Sequence, residues 1–333
     1  MTQFAGTTDS FDSAALKESL SPVIWDLFPM DTYFQNTIDK EDVSNPQHQW
    51  VFDTLAAAGN NKQLQGDSFT YTTLATATRV SNYTQIAYKA ISVSETLKAS
   101  GTVGGNPMSR ATMKAMKEYK RDVEFDLLGR QGSSAGATGT AAASGGVCAW
   151  IWGTGAAIVG NTVYPSTGGT GGNTTGTTPS YASAAVAGQT DGTTSSSTVV
   201  LADITAAAEL AWTDGGEPDV IIASSSQKKY IDQLSSLATR MVDIGRTDPL
   251  PISNSANVIV TSFGTFKVVM SRYLNRTTTL VMQMDKWAMG QLRAPKVVDI
   301  AKTADADQKV IIGEYTLIAR NPNSSAKIQG FKE

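Results

Sequence analysis

The chain has 333 residues, enough for two ordinary domains, with 41% hydrophobic residues, only 17% charged ones and a net charge of −3. A single cysteine, Cys148, and a single histidine, His48, exclude an intrachain disulfide and a Cys/His zinc site. The absent basic excess argues against a dedicated DNA binder, which draws its affinity from neutralised phosphates.

The amino-terminal sequence shows no basic region followed by an apolar run, so no signal peptide is expected. No apolar stretch approaches the roughly 18 residues of a membrane helix, and the default expectation is a cytoplasmic chain without membrane contact. Much of the polar surface must be Ser, Thr, Asn, Gln and Gly, which suits a surface covered by neighbours, because interface centres are depleted in charge.

Residues 1–60 read as an amino-terminal arm. The apolar run VIWDLFPM follows Ser21-Pro22 and is broken by Pro29, with Pro46 beyond it, so no helix long enough to bury itself can form. Trp25 and Phe28 therefore need a surface on this chain or on another.

Residues 61–101 change character, being rich in the strand formers Thr, Tyr, Val and Ile. Alternation across 86–93 predicts two long strands, an extended hairpin over this segment. A lone two-stranded hairpin is marginal in water, so it must lie across something else. Tyr71, Tyr83, Ile86, Tyr88 and Ile91 are its candidate contact residues.

Residues 102–152 hold the clearest helix, over 106–130. Asn106 is placed to cap it, Pro107 to open it and Gly129 to stop it. Met116, Tyr119, Val123 and Leu127 form one apolar stripe, and Lys114 with Glu118 and Lys120 with Glu124 are spaced as i,i+4 pairs.

Within residues 132–197, 49 of 66 are Gly, Ala, Ser or Thr, and Asp191 is the only charge. The stretch at 153–197 is predicted to be a long surface insertion, too poor in apolar side chains to offset its own ordering entropy. Residues 198–285 alternate helix and strand as a compact α/β block: a helix ending at Gly215-Gly216, a buried strand in PDVIIAS, a serine-capped helix, a hairpin turning at Phe263-Gly264, and a further strand in TLVMQM. Residues 286–333 return as strands, the longest in KVIIGEYTLIARNP. The fold class is α+β.

The sequence fits no catalytic template. Gly132-Ser133-Ser134-Ala135-Gly136 matches the G-x-S-x-G elbow of hydrolases, but a helix precedes it and His48 lies upstream, against the required order. A hydrolase reading would predict turnover lost on Ser134→Ala. Gly153, Gly155 and Gly160 have the spacing of neither phosphate-binding glycine loop. Asp305 and Asp307 lack further oxygen ligands and read as a solvated loop, so no metal or cofactor is expected. His48 beside Trp50 reads as a packing residue. Lys114, Lys117, Lys120 and Arg121 could face DNA, although Glu118, Asp122 and Glu124 interleave as in an ordinary salt-bridged helix. The chain is not expected to be an enzyme.

The order arm, long hairpin, strut helix, α/β block and returning strands resembles the Hong Kong 97-type fold of tailed-bacteriophage major capsid proteins. The stretches FPMDTYFQNTI, HQWVFDTLAA, RVSNYTQIAYKAISVSETLKA, KEYKRDVEFDLLG, AWIW, GGEPDVIIASSSQKKYIDQLS, FGTFKVVMSRYL and EYTLIARNP are similar to one family of phage major head proteins. The resemblance implies that 61–101 is the extended loop reaching over a neighbour, and that 102–152 holds the spine helix and begins the peripheral domain. It implies an axial domain at 198–285 and peripheral strands at 286–333; 153–197 has no counterpart.

The implied function is self-assembly into hexamers and pentamers of an icosahedral head around double-stranded DNA, bound without sequence specificity. A portal and a decoration or scaffolding protein would be partners, and the hairpin and arm residues named above would be inter-subunit contacts. The competing readings are a bacterial nanocompartment shell of the same fold, or a monomeric surface-binding module using the Gly/Thr-rich segment.

Overall fold

A computed structural model describes residues 32–53, 58–69, 71, 77–100, 105–151, 162–165, 198–235, 257–302 and 304–329. Helix α1 (Tyr33–Thr37) runs into the short strand β1 (Asp39–Asp42), then β2 (Gln47–Phe52). Strands β3 (Thr78–Tyr83) and β4 (Gln85–Ser94) precede a single helical turn, α2 (Glu95–Ala99), and the long helix α3 (Pro107–Leu127). Helix α4 (Val147–Trp150) and strand β5 (Thr162–Pro165) lead to α5 (Leu201–Thr213), β6 (Val220–Ala223) and α6 (Ser225–Ser235). The chain closes with β7 (Val258–Thr261), β8 (Gly264–Met270), β9 (Thr278–Met282), β10 (Trp287–Ile300), β11 (Ala306–Ala319) and β12 (Ala326–Gln329).

The strut helix forms where its local signals place it. Asn106 Oδ1 accepts the backbone N–H groups of Met108 (2.9 Å) and Ser109 (3.4 Å), and Pro107 occupies the first turn, where its missing N–H costs nothing. At 1.5 Å per residue the helix is about 30 Å long. Met108, Ala115, Tyr119, Val123 and Leu127 line its buried face, and Met116 is partly buried beside them. This face lies on a four-stranded sheet in the order β1-β10-β11-β4, parallel only between β1 and β10. Gly313 permits the contact, since a Cβ there would come within 2.4 Å of Tyr119 Oη.

A six-stranded sheet in the order β5-β12-β9-β6-β8-β7 forms the second body, with α5 packed against it. All four residues of β6 and all five of β9 are buried, as a central strand requires. The expected hairpin is β7 with β8, paired up to Thr261 and Gly264. Both bodies share one large core, in which Trp150, Trp287, Val220 and Leu280 belong to the same buried cluster.

Three expectations are corrected. The strands of 61–101 do not pair with each other: β3 pairs with β2, and β4 pairs with β11. The two-stranded arm therefore begins within the segment assigned to the amino-terminal arm, while β4 is built into the body. Alternation revealed strands there but carries no information about partners. Residues 326–329, expected among the peripheral strands, instead cross to the six-stranded sheet between β5 and β9. Finally, Glu124 does not pair with Lys120; it is fully buried and accepts hydrogen bonds from the backbone of α1.

Candidate assembly surfaces

Besides the exposed Trp212, Val258 and Val260 of the six-stranded body, apolar side chains face solvent on two surfaces, the arm and the four-stranded sheet. The first is the β2–β3 arm. Its root is fixed by buried polar groups: Asn82 Nδ2 donates to Leu317 O (2.7 Å), and Asn82 Oδ1 accepts from Gly145 N (2.9 Å). Trp50 Nε1 donates to Ala319 O (2.8 Å), and its ring lies 5.3 Å from that of Trp150. Thr84 Oγ1 donates to Glu314 (2.6 Å), and Gln85 Nε2 to Asp126 (2.7 Å). Beyond this root, residues 58–69 are exposed throughout. Phe69 is 89% exposed and Tyr71 94%, far more than a chain leaves to water when it can bury large aromatics.

The second surface is the outer face of the four-stranded sheet. Along β4, Ala87 and Ile91 pack toward the core and Lys89 pairs with Asp122 of α3 at 2.6 Å, so this set faces the helix. Ile86 and Tyr88 take the opposite face and are 53% and 67% exposed. Register places Ile312 across from Tyr88, and Val310 between Ala90 and Val298, extending this face over three strands. Helix α3 covers only the other side.

Of the candidate contact residues, Tyr71, Ile86 and Tyr88 are thus exposed, and Tyr83 is half-buried on β3. Ile91 is half-buried, packed against the chain's own core. Trp25 and Phe28 lie outside the described residues, as do Gly153, Gly155 and Gly160. Asn82 escaped sequence reasoning because an Asn in a strand run gives no sign of a partner 235 residues away.

Charged groups are arranged for structure. Lys114, Lys117 and Lys120 are exposed on α3 and Arg121 is half-buried; Lys114 pairs with Glu118 at 3.9 Å. Asp307 is bonded by both Lys98 and Lys302, and Lys302 also meets Glu95 at 2.5 Å. That hydrogen bond from Lys302 holds the Glu95 carboxyl below its usual range. Asp305 uses its backbone oxygen to accept from Glu95 N (3.3 Å), and no metal-binding group of three acidic, Cys or His residues occurs among the described residues. Ser134 is exposed in a small turn bridged to Ala143, without the strand a nucleophile elbow needs. His48 stacks on Trp50 with ring centroids 5.8 Å apart, and burial lowers its pKa.

The buried polar centre lies between the bodies. Lys327 on β12 donates Nζ to Cys148 O at 2.8 Å, and desolvation pushes its pKa down to about 7. Burial likewise raises the Cys148 thiol. Neither side chain reaches solvent, so neither is placed for chemistry on a substrate.

The comparisons agree with a surface organised for packing. The structure is similar to the capsid of cyanophage A-1(L), with a TM-score of 0.68 at 14% identity, covering 96% of this chain and 98% of that one. It is also similar to the phage G capsid assembly of major capsid and decoration proteins, with a TM-score of 0.53 at 9% identity over 98% of each chain. In sequence the chain is 25% identical over 337 residues to the major capsid protein of Escherichia phage Phieco32, covering 95% of this chain and 94% of the relative. The structural likenesses show a mixed α and β phage-capsid fold, and the family itself is one of capsid proteins, not enzymes. The family model for the SU10 major capsid protein matches residues 3–332, and the chain belongs to that family.

Proposed function

We propose that this major capsid protein builds an icosahedral head in the Hong Kong 97-type manner, from hexamers and pentamers whose subunits exchange limbs. In this reading the β2–β3 arm, over 47–83, is the extended loop; it lies earlier in the chain than the segment 61–101. Helix α3 is the spine, the four-stranded sheet belongs to the peripheral domain, and the six-stranded sheet forms the axial domain. The exposed aromatic arm tip carries the proposal, together with the uncovered face around Tyr88: two apolar surfaces on one chain that neither satisfies for the other.

Burying such surfaces yields about 25 cal/mol per Å² of apolar area, less the entropy of association. Each subunit makes several contacts at once, so modest individual contacts give a cohesive shell. Head-to-tail contacts close into rings, which is the geometry of a capsomer. Assembly would take place in the host cytoplasm, without a membrane, around a portal and with a decoration or scaffolding protein. The exposed Lys114, Lys117 and Lys120, with Arg121, would meet packaged double-stranded DNA without reading its sequence. The net charge of −3 suits a container filled by force.

The test replaces residues 58–71 by a short Gly-Ser link and follows assembly by size-exclusion chromatography and negative-stain microscopy. Closed shells are expected from the native chain and none from the variant. Shells of normal size from the variant would refute the limb-exchange reading.

A further inference from the structure

Helix α5 buries Ile204, Ala207, Ala208 and Ala211 in the core of the six-stranded body, a helical stripe that Trp212 does not share. Just past the helix end, Gly215 takes a φ of +82°, which suits glycine, and Gly216 N donates to Ala211 O at 2.8 Å. Trp212 is thereby fixed in the last turn, 60% exposed, with its ring 6.1 Å from that of Phe263 at the β7–β8 turn. A braced aromatic side chain left in water has the character of an anchor for a protein contact. Glu209, one turn earlier, and Asp214 and Glu217, just beyond, are all exposed and have no ion pair among the described residues.

The other side of the same hairpin differs. The edge strand β7 pairs only with β8 among the described residues. Ile259, opposite Phe266, packs on the cluster that contains α5. Val258, opposite Lys267, and Val260, opposite Thr265, therefore take the reverse face, where they are 56% and 74% exposed. Lys267 lies over the Tyr33 ring at 5.5 Å and has no carboxylate partner among the described residues.

One patch is thus aromatic and acidic, and the other aliphatic and cationic. Either patch paired with itself would set like charges face to face, whereas each complements the other. Contacts between unlike surfaces run head to tail and can close rings. Size points the same way. A large aromatic side chain covers roughly 150–250 Å², so Trp212 with two valines falls well short of the roughly 1,600 Å² of a free-standing complex. Such a contact holds when it is repeated around a closed assembly.

We propose that the six-stranded body carries a ring-closing contact between copies of this chain: the Trp212–Phe263 corner of one subunit seats on the Val258–Val260 face of the next, and Lys267 meets the carboxylates beside Trp212. This adds a third contact to the arm and the outer face of the four-stranded sheet. It rests on the reading that subunits form rings within a shell.

Cysteine trapping tests the contact, since Cys148 is buried and is the chain's one thiol. Thr213, next to Trp212, and Thr265, opposite Val260, are both exposed, and their exchange leaves the contact residues in place. In closed shells of the intact chain, oxidation of the Thr213→Cys/Thr265→Cys variant should give a ladder of covalent oligomers, while each single variant stays uncrosslinked. Trp212→Ala should raise the concentration needed for assembly on the order of tenfold, with native hydrogen-exchange protection kept in β6 and β9.

Shells of the double variant that yield no ladder overturn the proposal, as do dimers from Thr213→Cys alone, which mark a two-fold contact. If the double variant forms no shells, Trp212→Ala decides, and assembly at the native concentration refutes the contact. Lost protection in β6 and β9 assigns Trp212 to folding and overturns its role between copies. Limb exchange is judged separately, by the chain with 58–71 replaced: normal shells from it sink that reading and leave the ladder to be read by itself.

Discussion

The two sheets of this protein enclose their apolar residues to different extents. The six-stranded sheet encloses its central strands: β6 and β9 are buried along their whole length, with Ile204, Ala207, Ala208 and Ala211 of α5 in the same cluster, while the edge strand β7 leaves Val258 and Val260 exposed. The four-stranded sheet encloses only one end. Strand β10 is buried from Trp287 to Gly290, half-buried at Gln291 and Leu292 and exposed over 293–300, and Tyr88 on β4 is 67% exposed. One block closes its central strands within the chain, and the other leaves an apolar face of β4 open. A shell subunit needs both: a body stable before assembly and limbs that gain stability only through it.

Core truncation should give the largest effect. Phe266 is fully buried in the six-stranded block, so Phe266→Ala should cost about 3–5 kcal/mol in denaturant unfolding of the subunit. Tyr88→Ser should change that stability by less than about 0.5 kcal/mol yet slow shell formation strongly in a light-scattering assay. Equal losses of subunit stability from the two variants would erase the contrast.

Asn82 sharpens the boundary, since its amide fixes the arm root to the body. Asn82→Ala strands Leu317 O and Gly145 N in a buried site and should cost roughly 2–3 kcal/mol, read from chemical unfolding.

Lys327 tests how the two bodies are joined. Its native pKa of about 7 lies below the ordinary 10.5, so between those values the unfolded chain binds the additional proton and stability rises with pH. Below pH 7 both states are protonated and the cost of the buried cation is fully present, at most on the order of 5 kcal/mol. Lys327→Met should flatten this slope and raise the unfolding temperature more at pH 6 than at pH 9. The smallest effect belongs to the surface: Lys302→Ala, which breaks the exposed pairs to Glu95 and Asp307, should cost under about 1 kcal/mol and less in high salt.

What the sequence disclosed follows from the range of each signal. Asn106, Pro107 and the Met116–Leu127 stripe act within one or two helical turns, and the spine helix appears where they place it. The strand pattern of 86–93 correctly separates two faces of β4 but cannot name β11 as its partner, because pairing is decided more than 200 positions downstream. Exposure of Tyr71, Ile86 and Tyr88 was legible as apolar residues that an extended segment cannot cover. Glu124, Asn82 and Lys327 were not, since a polar residue declares its burial only through the groups it meets. Local spacing favoured an i,i+4 partner for Glu124, and tertiary packing supplied two backbone donors in its place.

The most direct test is hydroxyl-radical footprinting of Tyr71 and Tyr88 in unassembled subunits and in closed shells. Burial between copies predicts that both rings react readily in the subunit and are strongly protected in the shell, while Trp287 stays unreactive in each. Tyr71 and Tyr88 reacting as fast in the shell as in the free subunit would contradict the claim that these limbs find their cover on a neighbour.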